Sequence, residues 1–251
     1  MCLLSLAINV HPDFPLVFAG NRDEYHARPT ATADWWADTN NILGGRDLEA
    51  GGTWLAINRA GALGVVTNRP DLPAPNQNPR SRGDLVTGWL SASENFGKLP
   101  EQHMHYGGFS LLLTDLTTTQ LLSGGNGTPA LTTHSTTNGV TGLSNTAPKQ
   151  PWPKLTWLNQ QLLNHLQTKP PSIDYLMSLL ARSIPVPNSN TPYNHGQGVP
   201  ATPFVTGDQY GTRCSTIITI NRLGLCQFIE RSFDPGGSAA GEATYSFKLS
   251  A

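Results

Sequence analysis

The sequence predicts an α+β fold: a four-layer αββα sandwich in which helices cover two mostly antiparallel sheets. Three observations support this fold class. Only 13% of the 251 residues are charged, about half the usual share of ~25%, and Thr, Asn, Ser, Gly and Pro take their place. Apolar runs of strand length alternate with turns along the whole chain. The predicted elements follow one another as hairpins rather than βαβ units, which favours antiparallel sheets.

The first half of the chain is predicted to form three hairpins and one helix. Each hairpin joins two short apolar runs across a tight connection. The paired runs are residues 2–8 with 16–20, 54–58 with 62–66, and 109–116 with 118–123, and the helix covers residues 82–96. These hairpins supply the antiparallel strand pairs that the fold class requires.

The second half is predicted to hold two helices between strands. Pro151 suits the first turn of a helix that runs to Gln167, and an apolar face follows along it. The remaining elements are a strand at residues 139–145, a helix at 172–181, a long Pro- and Asn-rich loop at 185–209, and strands at 216–220, 225–229 and 244–249. A loop of that length is often functional, for example as a lid. We see no strong internal boundary and predict one domain over residues 1–251.

Composition excludes several functional classes. The net charge of −1 offers no electrostatic attraction to polyanions, so no nucleic-acid partner is expected. Three cysteines are too few and too scattered for a disulfide framework, which favours a reducing compartment. We find no zinc-ligand spacing, no signal peptide and no apolar run long enough for a membrane span. A cytoplasmic protein without a metal or a resident cofactor is the resulting expectation.

Cys2 follows the initiator Met1 directly, at the head of an apolar segment. One interpretation is a small core residue at the edge of a strand. The other is that removal of Met1 leaves a thiol and a free α-amine on the same residue. That amine has a pKa of about 7.7–8.0 and can take the thiol proton near neutral pH. Cys2 would then supply both nucleophile and base.

The segment GNRDEY at the end of the second predicted strand returns toward Cys2 if the first two strands pair. Arg22 would favour a thiolate, and Asp23 could hold the ammonium form of the α-amine. Adjacent strand residues point to opposite faces, so one of this pair would face away from Cys2 unless the chain turns there. Glu24 could then take the part of the carboxylate. The alternative is a charged turn with solvated ion pairs.

Three further polar residues stand at the ends of predicted strands. Asn68 follows ALGVVT, and Asn145 follows GVTGLS. Side-chain amides donate hydrogen bonds without carrying charge, so both are candidate donors to an oxyanion. Asparagine also ends strands through ordinary turn chemistry, and that interpretation stays open. Arg213, just before a late strand, could bind a substrate carboxylate or support the thiolate, or it could lie on the surface.

Seven segments of the chain resemble the NRDE family, also called the transport and Golgi organization protein 2 family. They run in order from Met1 to Phe233: MCLL, GNRDEYHARPT, GGRDLEAGGTWLAINRAGALGVVTN, RGDLV, GLSNTAPKQPWPKL, YGTRCSTIITI and FIERSF. The resemblance implies an N-terminal-nucleophile-hydrolase-like αββα sandwich, in agreement with the predicted element order. It also implies similarity to choloylglycine hydrolases and penicillin V acylases, which cleave linear amide bonds with an N-terminal cysteine.

The resemblance implies roles for six residues. The sequence also departs from the pattern of those hydrolases at one point, the spacing of Arg22 and Asp23. Cys2 matches the nucleophile, Asn68 and Asn145 match two asparagines in the pattern of those hydrolases, and Arg213 matches a late arginine approximately. The hydrolases separate their Arg and Asp by two residues, whereas Arg22 and Asp23 are adjacent here.

Two functional hypotheses result. The first is a hydrolase that acts on an amide or thioester bond of a small acylated substrate through Cys2. The second is a carrier of haem or an acyl lipid, because members of the resembled family are connected with haem movement and with lipid and acyl-CoA homeostasis. In the second hypothesis haem is a ligand rather than a cofactor, and the same cleft binds it without chemistry.

Overall fold

The structure, a computed structural model, describes residues 2–39, 41–73, 79–147, 151–187 and 201–250. These residues divide into two compact units. The first unit comprises Met1–Ala27, Asn138–Ser144 and Gln150–Phe247, and the second comprises Arg28–Thr137, Asn145–Lys149 and Lys248–Ala251. The prediction of one domain over the whole chain stays a prediction.

Thirteen strands and five α-helices occur among the described residues. The strands are β1 (Leu3–His11), β2 (Phe14–Tyr25), β3 (Thr30–Trp35), β4 (Ile42–Asp47), β5 (Leu55–Asn58), β6 (Leu63–Asn68), β7 (Phe109–Thr114), β8 (Thr119–Gly124), β9 (Thr132–Thr136), β10 (Gly139–Leu143), β11 (Tyr210–Ile220), β12 (Leu225–Phe233) and β13 (Ala239–Lys248). The helices are α1 (Gly83–Leu90), α2 (Glu94–Gly97), α3 (Leu99–Gln102), α4 (Pro153–Leu166) and α5 (Ile173–Leu180).

The first unit is built on a sheet with the strand order β10-β1-β2-β11-β12-β13. One face of this sheet packs against α4 and α5 in a buried apolar cluster. The helices contribute leucines at helical spacing, and the strands contribute every second residue, as their periods require. Buried members of this cluster are Leu3, Ala7, Val17, Ala19, Ile217 and Ile229 from the strands, and Leu155, Leu158, Leu162, Leu166, Leu176, Met177, Leu179 and Leu180 from the helices. We call this the helix-side face.

The second unit is built on a sheet with the strand order β3-β4-β5-β6-β7-β8-β9, in which each strand pairs antiparallel with the next. Helix α1 packs on it through Leu85, Val86 and Leu90. Sequential neighbours pair throughout, so this sheet is a meander. Within the described residues, every helix of the protein is too short or too polar to cross a lipid bilayer.

All three predicted hairpins are confirmed: β1 pairs with β2, β5 with β6, and β7 with β8. Both predicted helices of the second half are confirmed as α4 and α5. The predicted helix at 82–96 is wrong in its length, because the chain leaves the helix at Ser91. Ala92 takes φ 49°, and the Ser93 side chain then caps α2.

Some strand predictions needed correction. Strand β2 continues five residues beyond its predicted end at Gly20, and β10 ends at Leu143, two residues before Asn145. The sequence analysis missed β3, β4 and β9, whose apolar residues are sparse. Most of the predicted loop at 185–209, residues 188–200, lies outside the described residues. Strand β11 begins at Tyr210, six residues before the predicted strand at 216–220.

A substitution at Gly44 in β4 would test how tightly the second unit is packed. A Cβ added there would clash with the Leu55 carbonyl oxygen and lie 2.8 Å from the Ala56 Cβ. Because backbone atoms cannot move aside cheaply, we expect Gly44→Ala to lower the free energy of unfolding by about 1–3 kcal/mol. Urea denaturation of Gly44→Ala beside Gly241→Ala measures this, since a Cβ at Gly241 meets nothing within 4 Å. Equal stability of the two variants would contradict the expectation.

Candidate functional site

Cys2 lies directly before β1 and is half-buried. Burial raises the pKa of its thiol, and the Asp23 carboxylate acts in the same direction. A backbone hydrogen bond from Asp23 and the charge of Arg22 lower this pKa, but burial is the larger influence. A buried thiol of this kind holds its proton at neutral pH. Cys2 therefore needs a base before it can act as a nucleophile.

Arg22 and Asp23 lie on opposite faces of the first unit's sheet. Both are buried in β2, and the residues of one alternating set, Val17 and Ala19, pack against the helices. By the alternation of strand residues, Asp23 belongs to the helix-side face and Arg22 to the other. The strand does not turn here, so the adjacent pair is divided as the sequence analysis anticipated. Both charges nevertheless act on the Cys2 thiol.

Asp23 is oriented by its partners in β11. The Thr212 hydroxyl donates to Asp23 Oδ1 at 2.7 Å and accepts the Val205 backbone N–H at 2.9 Å. The Tyr210 hydroxyl donates to the Asp23 carbonyl oxygen at 2.8 Å. Burial raises the pKa of Asp23, whereas Lys154 and the Thr212 hydrogen bond lower it. The carboxylate is thus fixed in place, and the charge of Lys154 offsets part of the cost of its burial.

Asp23 and Glu24, the two carboxylates that the sequence leaves open, differ in their surroundings. The Asp23 charge raises the pKa of the Cys2 thiol. Glu24 is half-buried, and its Oε1 accepts the backbone N–H of Tyr25 at 2.9 Å. Of the two carboxylates left open by the sequence, Asp23 is therefore the stronger candidate.

Arg213 occupies a bulge in β11. Thr212 pairs with Asp23 and Cys214 with Arg22, so Arg213 is the extra residue between them. Its Nη1 donates to the carbonyl oxygens of Tyr25 at 2.9 Å and His26 at 3.1 Å. These bonds hold the bulge to the end of β2. The catalytic role of Arg213 stays a prediction.

Asn68 and Asn145 lie together in the second unit. The Asn145 side-chain N–H donates to the Asn68 backbone carbonyl oxygen at 2.9 Å. Asn145 is buried, and Asn68 is exposed as the last residue of β6. The sequence analysis is right that both follow strands, since Asn145 comes just after β10. Their role as oxyanion donors stays a prediction.

The other two cysteines are core residues, as the sequence indicates. Burial raises the pKa of Cys226 to about 12 and that of Cys214 well above its usual range, with the Glu230 charge adding to the effect at Cys214. Cys2 is the most accessible of the three thiols. Among the described residues, no group of three or more His, Cys, Asp or Glu side chains is placed to hold a metal ion.

The sequence analysis missed two buried charged residues. Lys154, in the first turn of α4, is 1% exposed, and Glu230 in β12 is 2% exposed. The Thr216 hydroxyl donates to Glu230 at 3.1 Å. A signal for Lys154 was present: a lysine in the first helical turn opposes the helix dipole, so it needs a compensating carboxylate. Nothing in the alternation of FIERSF distinguishes Glu230 from a surface residue.

Comparison with known proteins decides the family. The sequence profile described as "Transport and Golgi organisation 2" matches residues 1–235. The chain belongs to this family. The transport and Golgi organization 2 homologues of Mus musculus and Homo sapiens are each 32% identical, over 279 and 277 residues, and the match covers 99% of this chain and 99% of each homologue. The resemblance seen in the sequence is confirmed.

A solved structure supports the fold of this family member. A single-residue variant of conjugated bile acid hydrolase from Clostridium perfringens superposes with a TM-score of 0.51. The alignment covers 98% of this chain and 97% of that one at 9% identity, which shows the fold alone. The predicted fold class, an α+β protein with two antiparallel sheets and an N-terminal-nucleophile-hydrolase-like architecture, is confirmed.

Proposed function

We propose that this protein is a cysteine hydrolase that acts on an amide or thioester bond of a small acylated substrate. The observation that carries the proposal is the position of the Cys2 thiol within electrostatic reach of both Asp23 and Arg22. Removal of Met1 would give Cys2 a free α-amine, and a small second residue permits that removal. The related fold of an enzyme named conjugated bile acid hydrolase supports hydrolysis as the reaction type.

The raised pKa of the Cys2 thiol supports a base-assisted attack. The α-amine of mature Cys2 accepts the thiol proton, and the sulfur attacks the carbonyl carbon. The tetrahedral intermediate then breaks its C–N or C–S bond, and the ammonium returns the proton to the departing amine or thiol. Water, deprotonated by the same amine, attacks the thioester on Cys2. This step releases the acid and restores the thiol.

The proposed roles of the other residues follow from their charge. An ionised Asp23 holds and orients the α-ammonium, and Arg22 offsets part of the cost of a thiolate. Asn68 and Asn145 keep the predicted role of oxyanion donors, and Arg213 that of a support for the thiolate or a substrate carboxylate. A cytoplasmic location also belongs to the proposal, since free thiols suit a reducing compartment.

Comparing two forms of the amino terminus tests the proposal. One preparation carries its own start, and its intact mass shows whether Met1 is removed. The other keeps an N-terminal extension, so that the amine of Cys2 is in a peptide bond. Both are assayed on acyl-aminomethylcoumarin amides and acyl-N-acetylcysteamine thioesters with acyl chains from acetyl to palmitoyl. We expect about 10²–10⁴-fold faster hydrolysis by the processed form, the usual effect of a general base.

Two results would contradict the hydrolase. Equal hydrolysis by both forms would remove the α-amine from the mechanism, and retention of Met1 in an active native protein would do the same. A protein that cleaves none of these probes but shifts the Soret band of added haem would favour the alternative function, a haem or acyl-lipid carrier. Loss of that shift on replacing a single His, Cys or Arg would identify the ligand.

A further inference from the structure

Lys154 is a buried cation to which the proposed mechanism assigns no role. It is the second residue of α4, after Pro153, and is 1% exposed. Two costs fall on its ammonium group. Burial removes its hydration, and the partial positive charge at a helix N-terminus repels it. The first turn of α4 contains no acidic residue that would offset either cost.

The two groups closest to the Lys154 ammonium carry no charge. Lys154 Nζ donates to the Thr202 carbonyl oxygen at 3.3 Å and lies 5.3 Å from the centre of the Trp152 ring. A carbonyl oxygen and an aromatic face stabilise an ammonium only in part. A full negative charge within reach is therefore needed to explain why this lysine is buried.

Hydrogen bonds connect Lys154 to Asp23 through one segment, residues 202–205. Lys154 donates to the first residue of that segment, and the Thr202 hydroxyl donates to the Phe204 carbonyl oxygen at 2.7 Å. At its other end, the Val205 N–H donates to Thr212 Oγ1, whose own proton goes to Asp23 Oδ1 at 2.7 Å. Asp23 lies on the helix-side face, against which α4 packs at the neighbouring strands β1 and β10.

The charges of the two groups act on each other. Burial lowers the pKa of Lys154, and the charges of Asp23 and Cys2 oppose that change. In return, Lys154 lowers the pKa of Asp23 against the effect of burial. Arg22 is also buried and lies next to Asp23 in β2, but its side chain belongs to the opposite face of the sheet.

We propose that Lys154 is a positioning residue of the Cys2 site: its ammonium group is the buried counter-ion of Asp23 and keeps that carboxylate ionised beside the thiol. The importance of this pair for catalysis rests on the proposed function. A neutral Asp23 could not hold the α-ammonium of mature Cys2, whereas an ionised one can. Lys154 would thus act on the reaction through Asp23 without touching the substrate.

Thermal unfolding of single and double variants between pH 5 and pH 9 tests the pair. Lys154→Met keeps most of the side-chain volume and removes the charge. The pKa of Asp23 then rises further, and a group whose folded-state pKa is raised loses its contribution to stability as the pH rises through that pKa. We expect the melting temperature of Lys154→Met, relative to the parent, to fall by about 5–10 °C over this range.

Asp23→Asn should give the opposite slope. It leaves the ammonium of Lys154 without its counter-ion, so this variant should be least stable, relative to the parent, at low pH and recover as the pH rises. The double variant Asp23→Asn/Lys154→Met carries neither charge and should show neither of these two slopes. Its melting temperature should exceed that of either single variant, as for other buried pairs replaced together.

Two variants serve as controls. Lys154→Arg keeps the charge and should keep the parent's slope. Lys169→Met makes the same change at an exposed lysine just beyond α4 and should leave the curve unchanged. If Lys154→Met shifts the melting temperature equally at every pH, the lysine only fills space and the proposal is overturned.

Failure to fold is also decisive. If Lys154→Met does not fold and the double variant does, the charge of Asp23 is the cause and the proposal holds. If neither folds, Lys154 is needed for another reason and the proposal fails. Thermal unfolding can be measured without enzymatic activity. A protein that hydrolyses none of the probes would therefore contradict the proposed function but not the proposal for Lys154.

Discussion

Replacing Cys2 by alanine should abolish hydrolysis, with a loss of about 10³-fold or more, because the substitution removes the proposed nucleophile. The fold should change little, since Cys2 precedes β1 and is only half-buried. Its α-amine would remain and could still take a proton, but it would have no thiol to activate. The measurement is the initial rate on the best amide or thioester probe, with the melting temperature recorded beside it.

Cys226→Ala is the matched control for this loss. Its thiol is fully buried, and its pKa of about 12 leaves it protonated at neutral pH. We expect this variant to keep its activity and to lose some stability, because it leaves a small cavity. Full hydrolysis by Cys2→Ala would remove the nucleophile from the mechanism. Equal losses in both variants would point to a general effect of cysteine replacement.

Asn21→Leu should produce a large loss of stability in the first unit. Asn21 Nδ2 donates to the carbonyl oxygens of Leu180 at 2.9 Å and Pro203 at 3.1 Å, and Oδ1 accepts the Ser215 hydroxyl at 2.6 Å. Leucine would leave these buried groups unpaired at about 1–3 kcal/mol each. We expect a decrease of about 3–5 kcal/mol in the free energy of unfolding, measured by urea denaturation.

Asn164→Leu provides the comparison. Asn164 is exposed on α4, and its side chain accepts a hydrogen bond only from Gln160 among the bonds described for it. A change within about 0.5 kcal/mol is expected there. A similarly small effect at Asn21 would mean that water or repacking satisfies the exposed carbonyls, and that residues 202–205 do not depend on this side chain for their position.

The sequence predicted the regular parts of the fold because their periodicity is strong. Strands β1 and β2 carry apolar runs of strand length, and α4 repeats leucine at helical spacing. The helix over residues 82–96 was predicted too long because its apolar spacing continues across Ala92, whose left-handed conformation breaks it. Strands β3, β4 and β9 have few apolar residues, so alternation gave no signal for them.

The candidate site was predicted in part. Cys2, Arg22 and Asp23 became candidates because a thiol next to Met1 and a charged strand end are visible in two short segments of the sequence. Lys154 was not found, because its effect depends on which face of the sheet α4 covers, and that is a property of the tertiary packing. The division of Arg22 and Asp23 between two faces was anticipated from strand alternation alone.

The bulge at Arg213 adds one residue to β11 without changing its partners in β2. Thr212 and Cys214 are two positions apart and would share a face in a regular strand, yet they pair with the adjacent residues Asp23 and Arg22. Deleting Arg213 would restore regular alternation and leave Thr212 opposite Asp23, but it would remove the guanidinium that binds the carbonyl oxygens of Tyr25 and His26. A strand shortened by this residue should therefore keep the hydroxyl on Asp23 and lose its attachment to the end of β2.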